Sequence, residues 1–315
     1  MHILFIADPL ASFKIYKDTT FAMMREAQKR GHQIFACEPH HLVWQSGQSV
    51  NAQVQQVHLT DKQDAWFEVR NAHTDRALHS FDVVVMRKDP PFDSEYFYAT
   101  HLLEQAEREG AKVFNKPSAL RNHPEKLAIL EFAQFISPTL VTRDAQAIRA
   151  FHAVHRDIIL KPLDGMGGMG IFRVKDDALN LGAIIETLNR EGAQTVMVQK
   201  FLSAIAQGDK RVLVIGGKVV PYCLARIPQG GEVRGNLAAG GKGVAQAISA
   251  RDQEIAAAIG PILAERGLLL IGLDVIGENL TEINVTSPTC FQEIFDQTGC
   301  DVAALFIDAL EHAAA

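Results

Sequence analysis

The run Asp164-Gly-Met-Gly-Gly-Met-Gly170 constrains this chain more than any other feature, because apolar, strand-like segments flank it at Asp157–Lys161 and Ile171–Val174. Glycines let a backbone approach an anion where any Cβ would clash, so the run reads as a phosphate-binding loop. Gly165-x-Gly167-x-x-Gly170 also has the dinucleotide spacing. That fingerprint must open a helix, and here a strand follows, which disfavours a dinucleotide-binding oxidoreductase. No Gly-Lys-Ser/Thr closes the run, so it is not a Walker A loop. Strand–glycine loop–strand is how kinase-like sites cover phosphates. His155-Arg156-Asp157 imitates a kinase catalytic loop, but it precedes the glycines and no Asp-Phe-Gly follows, which excludes a protein kinase.

The 315 residues leave room for more than one domain, and 47% hydrophobic with 22% charged residues is globular composition. A net charge of −6 argues against a nucleic-acid binder. The cysteines at 37, 223, 290 and 300 form no CxxC pair and no disulfide framework. No apolar run approaches membrane-spanning length, so a cytoplasmic protein with no membrane partner is expected.

The first third alternates strand and helix signals: strands at His2–Ala7, Gln33–Cys37, Asp82–Met86 and Lys112–Asn115, helices at 19–30 and 94–109, and a hairpin within 43–59. Such repetition predicts a mainly parallel, Rossmann-like sheet over residues 1–120. The rhythm then changes. Pro124 opens a predicted helix through Phe135, and helices at 144–155 and 177–191 separate strands at 137–142, 157–161, 171–174 and 194–199. Strands 210–215 and 218–226 meet at Gly216-Gly217. Residues 227–242 form a glycine-rich loop of the kind that serves as a lid. A helix at 249–266 is expected to kink or break at Gly260-Pro261. Strands 268–276 and 280–285 form a last hairpin before a closing helix from Val302 to Leu310.

Two charge patterns surround the glycine loop. Residues 199–243 hold seven basic side chains (Lys200, Lys210, Arg211, Lys218, Arg226, Arg234, Lys242) against two acidic ones, a positive field suited to a small polyanion. Lys126 and Lys161 would add point charges to phosphates. If Gly277-Glu278-Asn279 is a three-residue turn, Asp274 pairs with Glu282 and Asn284 shares their face. Two carboxylates and an amide oxygen suit Mg²⁺ bridging phosphates. The histidines lack zinc-site spacing, no His/Asn pattern marks Cys290 as a nucleophile, and there is no Gly-x-Ser-x-Gly elbow.

Five longer motifs occur in order: Met86-Arg-Lys-Asp-Pro-Pro-Phe-Asp93, Lys161-Pro-Leu-Asp-Gly-Met-Gly-Gly168, Asp209-Lys-Arg-Val-Leu-Val214, the segment from Ala225 to Gly241, and Thr281-Glu-Ile-Asn-Val-Thr-Ser-Pro-Thr289. With them the chain resembles the bacterial glutathione synthetases, a branch of the ATP-grasp ligases, over about residues 2–312. The resemblance implies an α/β N-terminal domain (1–120) followed by an α+β ATP-grasp fold of two subdomains (121–200 and 201–315), with 227–242 as the lid. It implies an ADP-forming acid–amino acid ligase. ATP phosphorylates the cysteinyl carboxylate of γ-glutamylcysteine, and glycine attacks the acyl phosphate to give glutathione.

The resemblance also distributes roles. Lys126, Lys161, Gly165, Gly167 and Gly168 would meet the nucleotide phosphates, and Gln199, Lys200, Phe201, Leu202 and Asp209 the adenosine. Asp274, Glu282 and Asn284 would hold Mg²⁺ or Mn²⁺. Arg211, Arg226, Arg234 and Asn236 would stabilise the transferring phosphoryl group, and Arg87, Ser287 and Thr289 would bind substrate carboxylates. A cytoplasmic homotetramer is implied. Lys242 ends the lid where Arg is common in the family. Another ATP-grasp carboxylate–amine ligase with a different peptide substrate is the alternative. A nucleotide-binding regulator without turnover is disfavoured, because the phosphate lysines and metal ligands are all present.

Overall fold

The computed structural model describes residues 1–60, 62 and 64–315 and contains three sheets. The first sheet holds β1 (His2–Ile6), β2 (Gln33–Cys37), β3 (Leu42–Val43), β4 (Asn51–Leu59), β5 (Phe67–Ala77), β6 (Val83–Met86) and β7 (Val113–Phe114). Its order is β3-β4-β2-β1-β6-β7, with β5 also paired to β4. The β2-β1-β6-β7 half is parallel, as expected. The other half is antiparallel, because β4 runs against β2, β3 and β5. The hairpin expected within 43–59 is the β3–β4 pair. β5 was not legible: its Glu, Arg, Asn, Asp and largely exposed positions give no apolar period.

Helix α1 (Thr19–Lys29) starts where the Asp18 carboxylate accepts from Phe21 N at 2.7 Å, and it buries Phe21, Met24 and Ala27. Helix α2 (Ser94–Arg108) is capped in the same way by Asp93. Helix α3 (Pro117–Asn122) follows, with proline in its first turn. The helix expected over Pro124–Phe135 is instead a 3₁₀ segment at Ala128–Phe135, non-helical at Phe132. Its buried residues, Ile129, Phe132 and Phe135, recur every three positions, the period of a 3₁₀ turn.

The second sheet is antiparallel, with order β10-β9-β11-β8: β8 (Thr139–Thr142), β9 (Ile158–Pro162), β10 (Phe172–Val174) and β11 (Val196–Lys200). Helices α4 (Ala145–His155) and α5 (Leu181–Asn189) cover it, and Ile148, Ile158, Leu160 and Ile185 belong to a core of its own. Phe172 pairs with Leu160, so the glycine run is the loop of a β9–β10 hairpin.

The third sheet is also antiparallel: β12 (Asp209–Ile215), β13 (Lys218–Ile227), β14 (Lys242–Ala247), β15 (Leu270–Ile276) and β16 (Asn279–Asn284), in the order β14-β13-β12-β15-β16. β14 lies directly after the glycine-rich loop and was not anticipated. Helix α6 (Ala250–Glu265) opens with a reciprocal Ser249–Asp252 capping box and continues through Pro261, so the expected break is absent. A Cβ at Gly260 would stand 2.9 Å from Gly217 O and Val214 Cγ1, so α6 lies directly on the β12–β13 hairpin, and this packing overrides the local breaker. Helices α7 (Phe291–Thr298) and α8 (Val302–Ala314) close the chain. No helix among the described residues is long and apolar enough to cross a membrane.

The first and third sheets, with their helices, are tied by polar contacts, buried at Asn115 and partly exposed at Arg30. Asn115, just beyond β7, donates to Leu270 O at 2.8 Å and Val285 O at 2.7 Å and accepts from Leu270 N at 3.0 Å. Arg30 on α1 meets Asp308 at 2.6 Å and Glu311 at 3.1 Å on α8. Replacing Asn115 with Ala leaves three buried backbone groups without partners. We expect a loss of about 2–4 kcal/mol, read as a lower denaturant midpoint at unchanged slope.

Candidate active site

A cavity of about 300 Å³ opens between the second and third sheets, with residues 286–290 and Asp89 closing the end toward the first. Strand alternation decides what reaches it. Asp209 and Arg211 on β12 face in. Lys210, between them, points away and pairs with buried Asp252. Of the seven bases in 199–243, Lys200, Arg211, Arg226 and Arg234 line the cavity, whereas Lys210, Lys218 and Lys242 do not. The positive field is narrower than composition suggested.

Register assembles the centre. Asp209 stands opposite Arg226, Arg211 opposite Asp274, and Asp274 opposite Glu282. The Asp274–Glu282 pairing is the expected one, but the turn is not. Ile276 pairs with Asn279 across a two-residue turn, and a bulge at Thr281 restores the register. Arg211 donates to Asp274 at 2.5 and 3.1 Å, and Arg226 reaches Asp274 at 2.8 Å and Asp209 at 2.6 Å. Burial alone would raise the Asp274 pKa, but the two guanidiniums outweigh it and hold the carboxylate well below its usual range. Burial pushes Asp209 up to about 6 against the pull of Arg226, and its Oδ1 is sealed without a hydrogen-bond partner.

Lys126 Nζ donates to Gly165 O at 2.5 Å and to Glu282 at 3.1 Å. Lys161 Nζ donates to Thr281 O at 3.2 Å. Both lysines are buried. Desolvation pulls Lys161 down to about 8, with Glu282 opposing and Lys126 adding to the fall. The lid lies on the glycine loop: Arg234 donates to Gly168 O at 3.4 Å and pairs with Glu232 at 2.9 Å. At Gly168, φ is +84° and a Cβ would stand 2.8 Å from Asn236 Oδ1, so only glycine fits there.

At the hinge, Gln199 donates to Thr139 Oγ1 at 3.0 Å. Phe201 N donates to Asp157 O at 2.9 Å, and Arg173 stacks on the Phe201 ring at 3.5 Å. Leu202 N–H has no protein acceptor among the described residues, which leaves it able to donate to a ligand.

Asn284 donates its amide nitrogen to Gly272 O at 3.2 Å, which leaves Oδ1 as an acceptor beside Glu282 and Asp274. This all-oxygen set fits a hard divalent cation. Ser287 and Thr289 line the cavity, but Arg87 does not. It is buried behind them, donating to Thr20 Oγ1 at 3.1 Å and Pro288 O at 3.1 Å. All other expected site residues converge on the cavity.

Sequence reading missed Asp89, Glu125 and Ser137, which also line it. Adjacency to Lys126 was the only signal for Glu125. Its Oε1 accepts from Val285 N, Thr286 N and Thr286 Oγ1 at 2.8–3.0 Å. Burial and Glu282 raise its pKa against those donors.

The family described as the prokaryotic glutathione synthetase N-terminal domain matches residues 1–121, and the corresponding ATP-grasp domain matches residues 125–299. The chain belongs to the prokaryotic glutathione synthetase family. A glutathione synthetase from Ralstonia nicotianae is 60% identical over 100% of this chain and 96% of its own length. One from Neisseria meningitidis serogroup B is 56% identical over 98% of each chain. Among solved structures, the D-cycloserine synthetase DcsG superposes with a TM-score of 0.67 at 15% identity, covering 99% of this chain and 100% of its own. The ATP-grasp ligase PsnB in complex with its minimal precursor gives 0.63 at 21%, covering 99% of each. These two likenesses establish the ATP-grasp fold.

Lys161 carries its charge below about pH 8 and loses it above. A phosphate ligand needs that charge, so kcat/KM for ATP in the native chain should fall as pH rises through 8. Lys161→Arg, charged throughout, should lack that limb. A flat profile from pH 7 to 9.5 in the native chain would remove Lys161 from the phosphate site.

Proposed function

We infer that the chain joins γ-glutamylcysteine and glycine at the expense of ATP, releasing glutathione, ADP and phosphate through an acyl phosphate. Family membership over the whole chain supports this reading. The site observation that carries it is the paired guanidiniums of Arg211 and Arg226 on Asp274, beside Lys126 and Lys161. Burial raises the pKa of Cys290, the one thiol lining the cavity among the described residues, which makes it a poor nucleophile. An acyl-phosphate route needs none. It needs positive charge where the phosphoryl group moves.

In this reading Leu202 N–H and the hinge hold the base, and Lys126 and Lys161 hold the phosphates. Arg211 and Arg226 neutralise charge on the phosphoryl group as it passes to the cysteinyl carboxylate. Mg²⁺ or Mn²⁺, held by Asp274, Glu282 and Asn284, would supply charge neutralisation on the phosphate oxygens. Arg234, Asn236 and the glycine loop close over the reacting groups and exclude water. Ser287 and Thr289 bind the peptide acid, with Arg87 braced behind them through Pro288 O. The three sheets support division into 1–120, 121–200 and 201–315, with 227–242 as the lid. A cytoplasmic homotetramer belongs to the same reading.

ADP release should require MgATP, γ-glutamylcysteine and glycine together, with glutathione identified by mass. ADP formation only with another acid or amine would move the chain to a different ATP-grasp specificity. Asp274→Asn should lower kcat by a hundredfold or more, since losing one charge-stabilising contact at a transferring group costs about 2.7–4 kcal/mol. Wild-type turnover in this variant would remove Asp274 from the centre.

A further inference from the structure

Among the described residues, five carboxylates line the cavity: Asp89, Glu125, Asp209, Asp274 and Glu282. Three are neutralised by the protein's own cations, Asp209 and Asp274 by the arginines and Glu282 by Lys126. Asp89 is exposed at the cavity end, where Ser287 Oγ donates to it at 2.5 Å. Glu125 differs from all of these. It is half-buried, and among the described residues no basic group stands within ion-pair distance.

Its geometry is fixed for a ligand. The three donors from Val285 and Thr286 all converge on Oε1. Among the described residues, Oε2 has no hydrogen-bond partner. The Glu125 main chain is pinned as well, with Ile283 N donating to its carbonyl at 3.0 Å. A carboxylate clamped by one oxygen, with the other left over in a polar cavity, is organised to receive a cation.

Position says which cation. On one side of Glu125 stands Lys126, bound to Glu282 and Gly165 O, where the phosphates lie in the ligase reading on which this assignment rests. On the other side, β16 continues through Thr286 to Ser287, where the peptide acid lies. The carbon of the acyl phosphate must sit between those two groups, and the incoming amine must reach it there. The other ammonium of the reaction, on the glutamyl α-carbon, is at the opposite end of the peptide from the reacting carboxyl. We propose that Glu125 Oε2 accepts the ammonium group of glycine and is the residue that selects an amino acid, as a cation, for the second half-reaction.

Glu125→Gln tests this, because an amide oxygen can still accept the three donors while the free anionic oxygen is lost. KM for glycine should rise about tenfold to a hundredfold, the worth of a charge-assisted hydrogen bond, with KM for ATP and γ-glutamylcysteine unchanged. Hydroxylamine, uncharged at neutral pH, should trap the acyl phosphate as hydroxamate at the wild-type rate in the same variant. That result also shows that the variant folds and phosphorylates its acid. An unchanged KM for glycine overturns the proposal, as does a rise in KM for γ-glutamylcysteine instead. A parallel fall in hydroxamate formation also overturns it, since Glu125 would then only brace β16. Wild-type protein that makes no glutathione would defeat the ligase reading itself, a separate outcome.

Discussion

The Asp274 carboxylate, shared between the guanidiniums of Arg211 and Arg226, is the contact on which the site depends. It lies on the middle strands of the third sheet, and each partner comes from a different strand. Removing one member of a buried ion pair typically costs about 3–5 kcal/mol, so the register of β12, β13 and β15 is held at this point. With Asp209 included, the group carries two positive and two negative charges. It can therefore stay buried before any substrate arrives. An entering phosphate or metal ion re-partners these charges rather than bringing new ones into an apolar interior.

That cluster belongs to one wall, and the second sheet forms the opposite one. The second sheet has its own core and brings the glycine loop, Lys161 and the hinge. Met197 of β11 belongs to the core that holds Ile129, Val212 and Val275, and across the cavity the walls meet through polar contacts: Lys126 to Gly165 O, Lys161 to Thr281 O, and the lid residues Arg234 and Asn236 against Gly168. Polar contacts across the cavity suit parts that separate there to admit a nucleotide and close again to keep water from an acyl phosphate.

Much of this was legible in the sequence, for physical reasons that also mark its limits. Glycine at 165, 167 and 168 signals backbone reaching an anion, and the strand after Gly170 identifies which kind of loop it is. Alternation along β12 turns Lys210 away from the face that carries Asp209 and Arg211, a distinction that the net charge of 199–243 does not contain. β5 was invisible because both its faces are largely polar or exposed. Pro261 was a breaker locally but not against the hairpin it packs on. Glu125 carries no motif, since its role comes from contacts with Val285 and Thr286, about 160 residues away.

The Asp274–Glu282 pair shows where the constraint lies. A three-residue turn would give this register directly, but the chain uses a two-residue turn and a bulge. The apolar residues explain the choice. Leu273 and Val275 on β15 face the same core as Leu280 and Ile283 on β16. Leu280 and Ile283 are three apart, and a regular strand cannot put both on one face. The bulge at Thr281 reconciles them. It returns Glu282 and Asn284 to the cavity face and turns the Thr281 carbonyl toward Lys161. Core packing, not the turn, therefore sets the spacing of the oxygen ligands. The irregularity it forces also supplies the acceptor that holds Lys161 between the two walls.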